Sequence, residues 1–251
     1  MAKKIWITGA SSGIGRSLAI KFAKEGWQVA VSARRANLLE ELNKQNNNIH
    51  SFPLDVVDGK NTAHVFNNIV EKLGSVDICV FCSGFHNPQA DRKIDVEKIK
   101  EIMEINFFGT LNCVSAVSEY FKQKKDGQIS IVASLAGYRG LPGASGYSAS
   151  KAALINLAES LYFDFKRFGV RVSLVNPGFI KTPMTDKNDF HMPMIKSAEF
   201  AADKMFTGLT KKNSFEIYFP KIFSIIFKIL KILPNWLYFK IMSNANKIIK
   251  R

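Results

Sequence analysis

The chain is poor in cysteine, and the few it has are badly placed for cross-linking. Three cysteines in 251 residues, at 79, 82 and 113, form an odd and sparse set, as expected of a reducing compartment. Cys79 and Cys82 stand in "VDICVFC", which reads as a buried strand. Residues three apart on a strand point to opposite faces, so this pair is expected in the core, sharing neither a metal nor a bond. The four histidines show no ligand spacing with each other or with cysteine, and no metal site is expected. There is no Pro/Ser/Gly linker tract and no repeat at a fixed period, which argues for one domain. No apolar leader precedes "KIWIT", so a cytoplasmic location is expected.

Acid is scarce where base is plentiful. The net charge is +14, and residues 217–251 carry seven basic side chains and no acidic one. A nucleic-acid arm would interleave its base with polar and stacking groups. Here the lysines sit among Ile, Leu and Phe, so no nucleic-acid partner is expected and an anionic membrane surface is the better fit.

What the chain does have is an alternating rhythm, 47% hydrophobic overall. "KIWIT", "QVAVSA", "IHSFPLDV", "VDICVFCSG", "GQISIVAS", "VRVSLVNPG" and "FEIYF" read as strands, and amphipathic helical stretches separate them. One of these is a long helix expected from about Tyr147 to Phe168. Repeated βα units with apolar strands imply an α/β fold, a doubly wound parallel sheet with helices on both faces. Ligands of such sheets bind at the carboxyl ends of the strands.

The first strand ends in "TGASSGIG", with Gly9, Ser11, Ser12, Gly13, Ile14 and Gly15 leading into a helix. A Gly-rich turn there brings backbone N–H groups close to a pyrophosphate, whose charge the helix N-terminus favours. An NAD site would place an acidic residue after the second strand. The stretch "VAVSARRANLL" has none and offers Arg34 and Arg35 instead. A guanidinium can hold the 2′-phosphate of NADP with paired hydrogen bonds, so NADP(H) is the expected cofactor.

Polar groups then gather at one edge of the sheet: Asn106 in "EINFFGT", Ser134 at the end of "ISIVAS", and Tyr147 and Lys151 one helical turn apart in "GYSASKAAL". From "TGASSGIG" through "YSASK" to "NPGFIKT", about residues 3–219, the sequence resembles the classical short-chain dehydrogenase/reductase family. The resemblance implies a Rossmann-like domain over 1–219, with 220–251 as a helical extension. It implies an oxidoreductase that interconverts a carbonyl and an alcohol, with Asn106, Ser134, Tyr147 and Lys151 as its catalytic set. Tyr147 would exchange the proton and Ser134 would bind the same oxygen. Lys151 would lower the Tyr147 pKa and hold the nicotinamide ribose, and Asn106 would hold a water linking Lys151 to solvent. The resemblance also assigns Asp55 to the adenine, Gly84 to close passage of the cofactor, and Pro177, Gly178 and Thr182 to the nicotinamide end. It implies a homodimer or homotetramer.

One departure is visible. The family's Asn-Asn-Ala-Gly is "FCSG" here, with Phe81 and Cys82 replacing the Asn pair. That permits simple repacking, or weaker cofactor binding and a dinucleotide sensor or scaffold that turns nothing over. The segment 183–196, "PMTDKNDFHMPMIK", matches the family's variable substrate loop, and its Met and Phe favour an apolar, lipid-like substrate. In "KIFSIIFKILKIL", Lys221, Ser224, Lys228 and Lys231 make one narrow polar stripe on an otherwise apolar helix. About 20 Å of helix is too short to span a bilayer core. The segment reads as a helix lying in a membrane interface, with a subunit contact or an active-site lid as alternatives.

Overall fold

The computed structural model describes residues 2–212 and 214–249, and the side chains of 2–212 and 214–244. Seven strands, β1 (Lys4–Thr8), β2 (Gln28–Ser32), β3 (Ile49–Ser51), β4 (Ile78–Phe81), β5 (Gln128–Val132), β6 (Arg171–Pro177) and β7 (Glu216–Phe219), form one sheet. Their order is β3-β2-β1-β4-β5-β6-β7, and every pairing is parallel. The order reverses between β1 and β4, which opens a crevice at their carboxyl ends.

Among the described residues, ten α-helices connect and flank the strands: α1 (Gly13–Lys24), α2 (Ala36–Gln45), α3 (Gly59–Leu73), α4 (Pro88–Lys93), α5 (Val96–Met103), α6 (Gly109–Lys124), α7 (Ser145–Lys166), α8 (Ala198–Thr210), α9 (Lys221–Ile232) and α10 (Asn235–Ile249). Local chemistry sets several of their ends. Asp58 and Ser197 cap α3 and α8 by accepting from Asn61 N and Phe200 N, and Gly74 closes α3 in the left-handed region. A π-helical turn, Glu104–Phe108, joins α5 to α6 without a break.

The alternation of the strands sorts the core into two layers. Ile5, Ile7, Ile78 and Val80 face α1 and α8, whereas Trp6, Cys79 and Phe81 face α3 and α6. Cys79 and Cys82 therefore serve opposite layers, as the strand reading requires, and all three cysteines are free. Phe81 is fully buried, edge-on to Trp6 at 5.7 Å, and Trp6 in turn donates to Ser32 Oγ at 2.9 Å. The side chain that replaces the family's first Asn is thus absorbed by aromatic packing.

Several expected boundaries differ. The third strand stops at Ser51, although Phe52 N and Leu54 N still donate to Val31 O at 2.9 Å and Ala33 O at 3.0 Å along the edge of β2. The long helix starts at Ser145 and ends at Lys166, two residues earlier at each end than expected.

Candidate active site

The crevice is a cleft of about 380 Å³ lined by Gly9, Ser11, Ser12, Gly13, Ile14, Gly15, Arg34, Arg35, Asp55, Gly84, Ser134, Tyr147, Lys151, Pro177, Gly178 and Thr182. Of the residues expected in the site, Asn106 alone does not line it.

The Gly-rich turn is shaped by contacts that only glycine permits. Gly9 has φ +68°, and a Cβ there would lie 2.7 Å from Cys82 O; one at Gly15 would lie 2.5 Å from Gly9 O. The turn is therefore pressed against the end of β4, and α1 opens beside the cleft with no side-chain cap on its N-terminus. The Gly15 N–H turns to the Cys82 thiol, and the positive end of the helix dipole favours an anion in the cradle before it. Across the turn stands Thr182, whose methyl would meet a Cβ at Gly13 at 2.9 Å. At Gly84 a Cβ would stand 3.6 Å from Lys151 Nζ, so its absence keeps the cleft open there. A narrow cradle at a helix N-terminus fits a pyrophosphate-linked dinucleotide.

At the far end of the cradle Arg35 lies over the turn. Its Nε and Nη2 donate to Ser11 Oγ at 3.2 and 2.8 Å, and Nη2 donates to Ser12 Oγ at 2.8 Å. Arg34 is exposed at the same rim. Asp55 also lines this end and accepts from Val57 N at 3.2 Å.

At the other end β5 delivers Ser134, and the first two turns of α7 deliver Tyr147 and Lys151. Ser134 Oγ accepts from Ala136 N at 3.1 Å and hydrogen-bonds the Tyr147 hydroxyl. Lys151 is buried, its Nζ donating to Val132 O at 3.0 Å and lying 5.7 Å from the Tyr147 ring centre. Burial pushes Tyr147 up to about 12, against the pull of Ser134 toward the phenolate. Burial also lowers Lys151 to about 8, opposed by Cys82. Burial thus outweighs the Ser134 hydrogen bond at Tyr147, while Lys151, expected to depress it, is itself desolvated and turned toward a backbone carbonyl. Tyr147 is set as a protonated acid.

Asn106 sits at the centre of the π-helical turn, fully buried behind the cleft. Its Oδ1 accepts from Phe85 N at 2.6 Å, and its Nδ2 donates to Phe85 O at 3.0 Å and Ser150 Oγ at 2.9 Å. Both amide hydrogens are committed, and the main-chain O accepts from Thr110 Oγ1 at 2.8 Å. The side chain clasps the segment after Gly84 to α7.

Two residues of the site were not anticipated. Asp91, with no exposed side-chain surface, accepts from Gly146 N at 2.5 Å and Tyr147 N at 3.4 Å, closing the N-terminus of α7. His86 lies with its ring centre 4.5 Å from that of Tyr147 and Nε2 3.3 Å from Asp91 Oδ2. No motif spacing links 86 or 91 to 147; the only signal was that His86 follows Gly84 by two residues.

The geometry agrees with what similarity shows. A family model described as short chain dehydrogenase matches residues 3–192. The chain belongs to the short-chain dehydrogenase family. An uncharacterized oxidoreductase of Myxococcus xanthus is 33% identical over 236 residues, covering 92% of this chain and 93% of that one. A Staphylococcus aureus protein named 3-oxoacyl-acyl-carrier-protein reductase FabG is 30% identical over 191 residues, 74% of this chain and 78% of its own. Among solved structures, a short-chain dehydrogenase from Streptomyces avermitilis superposes with TM-score 0.82 at 23% identity, covering 98% and 99% of the two chains. ElxO with NADP bound superposes with TM-score 0.76 at 24% identity, covering 87% and 98%. At those identities the structures speak for the fold. As a short-chain dehydrogenase the protein is an oxidoreductase, of a family that binds a nicotinamide dinucleotide.

Proposed function

We propose that the protein is an NADP(H)-dependent reductase that interconverts a carbonyl and an alcohol on an apolar, lipid-like substrate. The observation that carries this reading is a protonated Tyr147, hydrogen-bonded to Ser134, at one end of a dinucleotide-sized cleft whose other end holds Arg35. Support for NADP over NAD is the pair Arg34 and Arg35 where an acidic residue would serve NAD.

The cradle of Gly9, Ser11, Ser12, Gly13, Ile14 and Gly15 would hold the pyrophosphate. Asp55 would face the adenine, and Pro177, Gly178 and Thr182 the nicotinamide end. When bound, the dinucleotide supplies hydride for reduction and accepts it for oxidation. Tyr147 gives its proton to the substrate oxygen in reduction and takes it back in reverse. Ser134 Oγ donates to the same oxygen as negative charge develops there. Lys151, cationic below about 8, binds the ribose and favours the phenolate left behind. Asn106 and Asp91 act as positioning residues for the Gly84 segment and for the first turn of α7. The loop 183–196 lends Met184 to the cleft lining and also carries Phe190 and Met192, which suits an apolar substrate. A relative named for a 3-oxoacyl substrate is compatible with that class.

A dinucleotide sensor that turns nothing over is the other reading, and it has no use for a hydroxyl pair aimed into the cleft. NADPH oxidation with a panel of medium-chain ketones and 3-oxoacyl thioesters separates the two. Turnover that Tyr147→Phe abolishes, with NADPH still bound, is the expected result. Undiminished turnover in that variant, or none with any carbonyl despite tight NADPH binding, defeats the proposal.

A further inference from the structure

Helix α9 turns part of its polar stripe, Ser224 and Lys228, toward the body of the protein beside Phe223 and Phe227. Ser224 is buried with Oγ donating to Pro220 O at 2.9 Å, and Lys228 Nζ reaches Glu216 Oε2 at 2.6 Å while lying 3.8 Å above the Tyr218 ring. Lys231 lies over Tyr138. Tyr138 and Asn176 also hydrogen-bond Glu216. Burial opposes ionisation of Glu216, but Lys228, Tyr138 and Asn176 together hold its carboxyl below the usual range.

The opposite face is made of isoleucine. Ile222, Ile225, Ile226, Ile229 and Ile232, at helical spacing, are 66%, 48%, 45%, 52% and 80% exposed. Trp236 and Phe239 of α10 are exposed as well. This is no loosely held tail. Arg139 donates to Leu230 O at 2.9 Å and Leu233 O at 2.7 Å, and lies 4.0 Å over the ring of Tyr238, whose hydroxyl donates to Gly140 O at 2.6 Å. A rigid, contiguous apolar face of this kind marks an interaction surface.

We propose that this face docks on an anionic lipid surface, with α9 lying in the plane of the interface and its isoleucines in the acyl boundary. Charge selects the occupant. Of the seven basic groups in residues 217–251, which hold no acidic one, Lys228 is spent on Glu216, while Lys221, Lys231 and Lys240 are exposed. A second copy meeting this face across a two-fold axis would oppose base to base, whereas anionic headgroups complement it. Exposed Lys221 and Lys240 flank the apolar strip, and Trp236 suits the headgroup level. Lys247, Lys250 and Arg251 belong to the sequence count but lie outside the described side chains. No helix among the described residues is long and apolar enough to cross a membrane.

The inner side of the same helix backs the cleft, with Phe223 packed against Gly178 of its lining. The Phe223 ring lies 5.6 Å from Phe179, which lies 5.9 Å from Phe190 in the loop 183–196. A docked molecule holds its substrate loop close to the acyl phase. This second half rests on the proposed apolar substrate; the docking itself does not.

The test is co-sedimentation of the full chain, without cofactor, with vesicles of phosphatidylcholine and phosphatidylglycerol in equal parts and with phosphatidylcholine alone. Binding to the mixed vesicles is expected. The double substitution Ile225→Glu, Ile229→Glu, at two exposed positions, should lower it about a hundredfold, roughly tenfold for each half-submerged isoleucine. An unchanged thermal melt of that variant shows that its fold survives. Protein that stays in the supernatant with both vesicles overturns the docking. So does a concentration-dependent doubling of mass that the same variant removes, which would assign the face to a second copy. Vesicle binding by a protein that reduces no carbonyl upholds the docking and defeats only the reductase reading.

Discussion

Replacing Arg35 by Ala separates a phosphate clamp from a loop brace. The guanidinium makes three hydrogen bonds, two to Ser11 Oγ at 3.2 and 2.8 Å and one to Ser12 Oγ at 2.8 Å, at the solvent-exposed rim of the cleft. Those contacts leave its plane beside the cradle, where a 2′-phosphate would take over the donors. A charge-assisted hydrogen bond contributes about 1.5–3 kcal/mol, toward the lower end where water and salt screen it. At about 1.4 kcal/mol per tenfold, NADPH should bind roughly 10- to 100-fold more weakly. NADH has no phosphate at that position and should lose only what a looser turn costs both cofactors. The ratio of the two losses therefore carries the argument. Fluorescence titration of wild type and Arg35→Ala with each dinucleotide, at low and high salt, measures it. The wild-type preference for NADPH should shrink with salt and nearly vanish in the variant. Equal losses for both cofactors would make Arg35 a brace for Ser11 and Ser12 and refute the clamp.

Tyr147→Phe should cut carbonyl reduction by about 10²–10⁴ with NADPH affinity little changed, as steady-state rates beside a binding titration will show. The reduction rate should fall as pH rises through about 8, because Lys151 loses its proton there while Tyr147, held up to about 12, keeps its own. Lys151→Arg should move that fall upward in a kcat–pH profile. The same group also affects stability. Its folded pKa of about 8 lies below the ordinary 10.5, so the unfolded chain binds more protons in that window and Lys151's contribution to stability should rise with pH across it. Asp91→Ala leaves the buried first turn of α7 without its acceptor, at a cost of about 2 kcal/mol. A thermal melt should show a drop of several degrees, with kcat falling because Tyr147 N is one of the groups released.

The sheet was legible because each strand carries its own signal: a short, mostly apolar run, then a glycine or polar end. The cleft was legible for the same reason, since Gly9, Ser134, Tyr147 and Thr182 stand just past strand ends or at the start of the next helix. What escaped depended on contacts between distant segments. The acidity of Tyr147 could be reasoned from Lys151 one turn away, but not the burial of both, and burial decided the sign. Asp91 closes α7 from 55 residues away in the chain. In α9 the periodicity revealed a stripe without saying which side would face the protein. That choice was made by Glu216, whose charge sits under the helix and draws Lys228 inward.

The contact between Lys228 and Glu216 also bears on how the C-terminal segment can be handled. Ending the chain after Phe219 would strip the counter-ion from a half-buried carboxylate and remove Phe223 from beside Gly178, where a Cβ would meet its ring at 2.9 Å. A protease nick, a stop codon or a fusion at that junction would then be felt at the nicotinamide end of the cleft as well as at the lipid face. The segment cannot be exchanged like a sorting label. Any replacement would have to bring its own cation for Glu216 and its own aromatic wall for Phe179.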